Sequence, residues 1–322
     1  MMIQCTESYQ KTIYEVEEVH RVYSAASLIL NITTLYGLYL VYQNNKDKQV
    51  VFAKTLFLSS MLTVQVMLNF VSDPILNFPL VAGYSTGLSY YLGIPNSLVT
   101  AVITNIVVFM GLTAVKLCEI RQQVLLPANH FLKFERSTRL YQTIAHLPLL
   151  LVLPSISYYA VINQEELRND EINTYKSCIP PAFWYPEYFV LTTSLRSSLM
   201  IIIIAVFIPA ECTILLFHSY YLLYQKKTSI TSVATKKAQI RSVKLLTVQV
   251  SMPVFFYLFP IAYYMYSVIF QYANEYLNQT FMKYVAIQGT GAIAAVLFSE
   301  TKAKRTAVKP WSISRSISRH VN

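Results

Sequence analysis

Charge is scarce in this chain. Only 13% of its 322 residues are Asp, Glu, Lys or Arg, where a soluble domain carries about a quarter. Glycine is scarce too, at 7 residues, while the hydrophobic share reaches 54% and mean hydropathy is +0.41. This balance excludes an ordinary soluble domain and points to a membrane protein. The five histidines, His20, His130, His146, His218 and His320, fall on separate segments, so no metal site is expected. HExxH, CxxC and P-loop patterns are missing, and no GxSxG is expected either; with no catalytic constellation or cofactor cradle in view, the expectation is no enzyme and no cofactor. No apolar run precedes Val22. The first span is therefore expected to serve as its own targeting signal, with no cleaved leader. No internal repeat is visible, which argues against a transporter built from inverted halves.

What is present is a series of seven apolar spans. They cover about residues 22–42, 50–71, 94–115, 141–162, 197–224, 245–270 and 282–299, between an amino-terminal segment 1–21 and a basic, serine-rich tail 300–322. The third is the clearest. Ile94 to Val115 is 22 residues without a charge, ending at Lys116, Glu119 and Arg121. That much helix crosses a hydrocarbon core of roughly 30 Å. Lys54, near one end of the second span, is expected to snorkel to the surface. The chain reads as an all-α membrane protein, a bundle of seven transmembrane helices.

The net charge of +10 does not mark a nucleic-acid binder, because the basic residues alternate with the spans. Of the 26 Lys and Arg, 20 lie on one side of the membrane; Lys11, Arg21, Arg168, Lys176, Arg196 and Lys283 lie on the other. The positive-inside rule then places the amino terminus outside and the carboxyl terminus in the cytoplasm. In this topology Cys5 and Cys178 are outside, Cys118 is cytoplasmic and Cys212 is within the membrane. Cys5 and Cys178 are either a disulfide or two free thiols.

Several residues stand out against this frame. Glu119 and Arg121 are either a stop-transfer cluster or a contact that holds a neighbouring helix at rest. Glu211 is a carboxylate deep in a span, and His218 follows at seven residues on the same helical face. The two form either a polar switch or a structural hydrogen bond. Pro253 and Pro260 interrupt the sixth span, as a hinge or as packing geometry. Tyr257 and Tyr263 face either a ligand pocket or the aromatic belt. Asn278-Gln279-Thr280 is a glycosylation sequon in an outer loop.

Three stretches together resemble the nematode chemoreceptors of serpentine receptor class H. They are PLVAGYSTGLSYYLGIP (Pro79–Pro95), SCIPPAFWYPEYFVL (Ser177–Leu191) and TKKAQIRSVKLLTVQVSMPVFFYLFP (Thr235–Pro260). Glu119 and Arg121 stand where that family has its Glu and Arg after the third helix. The resemblance implies a seven-helix G-protein-coupled receptor for chemosensation (olfaction), in the plasma membrane of sensory neurons or their cilia. Its expected partners are a heterotrimeric G protein, a small environmental ligand and membrane lipid, with no nucleic acid. It assigns coupling to Glu119, Arg121 and the basic loop residues Lys236, Lys237 and Arg241, and it supports pairing of Cys5 with Cys178. The alternative is a ligand-gated channel subunit or a transporter.

Overall fold

The computed structural model describes residues 4–5, 29, 31–39, 48–77, 81–127, 130–133, 144–175, 179, 181–192, 195–225, 233–270 and 272–287. Helix α1 covers 31–39 within the first span. Helices α2 (Lys48–Val66), α3 (Leu88–Tyr91), α4 (Asn96–Leu125), α5 (Leu149–Ile162), α6 (Gln164–Tyr175), α7 (Leu195–Gln225), α8 (Val233–Phe270) and α9 (Glu275–Ala286) follow. Among the described residues, five helices are long and apolar enough to cross a membrane: Val50–Val71, Asn96–Leu125, Ile144–Ile162, Ile202–Gln225 and Gln239–Ser267. Large apolar side chains stand exposed along them, including Phe109, Leu151, Phe207, Phe217 and Leu258. In water such a surface would aggregate, whereas lipid covers it.

Helix α4 is central. It packs against α2, α5, α7 and α8. Its end is written in the sequence: Leu126 precedes Pro127, and the chain turns extended there. At 30 residues it is about 45 Å long. It therefore continues past Val115, and Cys118 and Glu119 are buried in the bundle rather than emerging from it. Cys118 belongs to the core, not to the cytoplasmic surface. Lys54 is buried as well and does not snorkel. Gly111 lets α4 meet α7 closely, because an added Cβ would come within 2.8 Å of the Ile208 side chain.

Helix α8 has 38 residues, about 57 Å. Because it begins at Val233, Lys236, Lys237 and Arg241 lie on a helix and not in a loop. The side chain of Lys236 is outside the described residues, as are Cys178, most of the seventh span and the tail.

One end of the bundle is capped by strands. β2 (Pro74–Leu76), β3 (Val81–Ser85) and β4 (Phe189–Thr192) form an antiparallel sheet, in that order. β1 (Gln4–Cys5) pairs parallel with β5 (Tyr272–Ala273). Gln164 pins β4 to the end of α5 by acting as a strand neighbour: its amide oxygen accepts from Val190 N (3.1 Å) and its nitrogen donates to Val190 O (2.6 Å). The segment between the fourth and fifth spans, legible in sequence only as a long loop, thus folds into a lobe with its own core of Leu167, Phe183, Tyr188 and Val190.

Candidate functional site

A cavity of about 370 Å³ lies inside the bundle. That volume falls at the lower end of the range for small-molecule pockets. α4 contributes Ile103, Thr104 and Val107; α7 contributes Ile208, Pro209 and Cys212; α8 contributes Val250, Pro253, Tyr257 and Pro260. Tyr257 therefore lines the cavity, and both prolines of α8 sit in its wall. Each proline lacks an N–H, so the carbonyls one turn earlier, Gln249 and Phe256, lose their helical donors. Gln249 is fully buried, and its side-chain nitrogen has no partner among the described residues. Tyr263 belongs elsewhere. It is buried against Phe281, with ring centroids 4.6 Å apart, and its hydroxyl donates to Asn274 O at 3.3 Å. It is a packing residue between α8 and α9, and the expectation that it lines the pocket is corrected.

At the sheet end Lys283 of α9 forms an ion pair with Asp73, both largely enclosed. Asp73 follows a π-helical turn, Met67–Val71, and adopts φ +42°, a left-handed conformation that Asp tolerates better than most residues. Asn69, in that same turn, donates to Gln65 O (2.9 Å) and to Ala286 O (3.1 Å), tying α2 to α9. The sequon residue Asn278 is fully buried in α9. A glycan has no room on an enclosed side chain, so Asn278 is a packing residue in this fold, not a carrier. In the lobe, Glu171 is buried with no hydrogen-bond partner among the described residues. Burial pushes its carboxyl up to about 8, against the opposing pull of Arg168.

The opposite end of the bundle is basic. Glu119 is held by Lys116 one turn back, at 2.7 Å, and Arg121 is half-buried on the same helix. Lys237 and Arg241 are exposed on α8. His218 meets Gln122 of α4 at 2.6 Å, with the His130 ring 6.1 Å away. Glu211 pairs with His146 at 3.0 Å. The expected Glu211–His218 couple is therefore corrected. Seven residues on one helix is two turns, about 10 Å, and each group finds a nearer partner on another element. His146, Gln122 and the Asp73–Lys283 pair escaped the sequence reading. A lysine at the edge of an apolar span was the available signal for the last.

Gly83-Tyr84-Ser85-Thr86-Gly87 spells GxSxG, so the expectation that this pattern is absent is corrected. Here Ser85 is buried in β3, its oxygen 3.0 Å from that of Ser72. It is not the exposed serine of a strand-to-helix elbow. Among the described residues no cluster of metal-ligating side chains occurs.

The profile of the serpentine type 7TM GPCR chemoreceptor Srh family matches residues 16–309. The chain belongs to this family. No curated protein matches it. The match spans the five membrane-length helices and the stretches of sequence that bracket them, so this receptor-family member is a multi-pass membrane protein with a seven-transmembrane fold. The family is one of chemoreceptors, not of enzymes.

Proposed function

We propose that this Srh-family protein is a plasma-membrane receptor of sensory neurons. It takes a small environmental molecule into the bundle cavity and passes the event to a heterotrimeric G protein. The sheet end faces outside and the basic end faces the cytoplasm, as the charge distribution favours.

One observation carries the reading. A single helix, α8, walls the cavity with Pro253 and Pro260 and presents Lys237 and Arg241 at the basic end. A ligand that binds one arrangement of α8 better than another shifts the population toward it. The prolines, each of which removes a helical hydrogen bond, serve as the hinge, and the segment beyond them carries the movement to Lys236, Lys237 and Arg241. Glu119 and Arg121 on α4 complete the surface that meets the G protein. Cys5 and Cys178 secure the outer side as a disulfide.

The test is Arg121→Ala in cells that express the chain, with surface labelling and nucleotide exchange on the G protein measured together. Exchange is expected to fall to background at unchanged surface level. Unchanged exchange would remove Arg121 from the coupling surface.

A further inference from the structure

The bundle cavity does not end at the sheet. A second pocket of about 210 Å³ lies directly beneath β2 and β3. Leu68, Leu76, Ile103, Thr104 and Met282 line both spaces, so the two are compartments of one site. Their chemistry differs. The inner compartment is walled almost wholly by hydrocarbon. The compartment under the sheet adds Ser72, Ser85, Asn96 and Thr100.

No charged side chain lines either compartment among the described residues. Asp73 and Lys283, each next to a lining residue in sequence, pair with each other, and Glu211, next to Cys212, pairs with His146. The spans that complete the bundle carry no charge at 22–42 or 288–299. A larger groove that meets the sheet compartment at Asn96 and Phe189 does carry charge, at Glu165, Arg168 and Glu187, but none of these three lines either compartment. A carboxylate or ammonium brought into the bundle would be stripped of water and left without a counter-charge, which is strongly unfavourable.

We infer that the receptor takes a neutral, predominantly aliphatic molecule with one hydrogen-bonding end, its chain in the inner compartment and its polar end under the sheet. This rests on the reading of the bundle cavity as the ligand site. Size agrees: at about 30 Å³ per water-sized group, 370 Å³ holds roughly a dozen such groups. A chain of about eight to ten carbons therefore occupies the inner compartment. The polar end meets a suitable atom at the junction. Thr104 donates its hydroxyl proton to the backbone carbonyls of Thr100 (2.8 Å) and Ala101 (3.1 Å), which leaves the oxygen able to accept. An alcohol is therefore the best-matched head group.

The probes are a diazirine analogue of 1-octanol and the matching diazirine octanoate, applied at neutral pH to the full chain in lipid nanodiscs and mapped by mass spectrometry. The alcohol is expected to label peptides of α4, α7 and α8 that line the cavity, and excess 1-octanol is expected to suppress that labelling. The octanoate should label them at least about tenfold less. Ala205→Phe, which projects bulk into the inner compartment, should remove the suppressible labelling. Equal labelling by octanoate would overturn the neutral-ligand inference and leave the cavity as the ligand site. Absence of suppressible labelling by either probe in the wild-type chain would overturn the inference at its root. G-protein coupling is measured separately and does not depend on this result.

Discussion

A carboxyl buried without a hydrogen-bond partner keeps its proton, and Glu171 has none among the described residues. Its value in the folded chain, about 8, stands above the ordinary 4.5. Between those limits the native state holds a proton that the unfolded state has released, so stability falls as pH rises through that window. Below it both states are protonated; above it both are ionised and the loss is complete. Thermal unfolding in detergent should therefore show a midpoint that declines from about pH 5 to pH 8, and Glu171→Gln should flatten that slope. A slope that survives the substitution would place the titrating group elsewhere. The Asp73–Lys283 pair makes the opposite demand, since each charge is enclosed and depends on the other. Lys283→Ala removes the cation that balances the enclosed Asp73 carboxylate, at a cost of about 3–5 kcal/mol. The double variant Asp73→Asn, Lys283→Met should recover most of the lost unfolding midpoint, because it removes the stranded charge as well.

Among the elements, α8 is the longest described helix. Its two prolines line the cavity and its basic turns lie at the far end. Pro253→Ala restores a helical hydrogen bond and stiffens the helix at that point. Ligand-driven nucleotide exchange should drop about fivefold or more while surface expression holds; unchanged exchange would show that Pro253 is no hinge and serves packing alone. The helices themselves were legible in the sequence, because an apolar run of membrane length has few other fates. The ends were less so. α4 continues ten residues past Val115 to Leu125, with Lys116 donating to Glu119 Oε2 and Cys118 buried in the core. The lobe of α6 and β4 was not legible at all. Its fold depends on Gln164 imitating a strand and on Arg168 donating to the Tyr188 carbonyl, and neither contact has a periodic signature. The cavity was half-legible. Tyr257 and Tyr263 are six residues apart, which is not a multiple of the helical turn, so they point to different neighbours. In spans that are apolar all round, composition does not reveal which side faces inward.

At the scale of the molecule, the chain is a bundle with two chemically distinct ends. One is covered by the β2–β3–β4 sheet and tied across by Asp73–Lys283; the other gathers Glu119, Arg121, His218, Lys237 and Arg241. The apolar cavity lies between, and α8 joins it to the basic end. Family membership accounts for the architecture, and the proposed receptor function places its ligand in the cavity. The most direct test of receptor function is calcium imaging of cells expressing the chain, across an odorant panel, with and without the Gα subunit. The account predicts a response that disappears when Gα is removed. A response that persists without Gα, carried by current through the membrane, would contradict it and make the chain a channel.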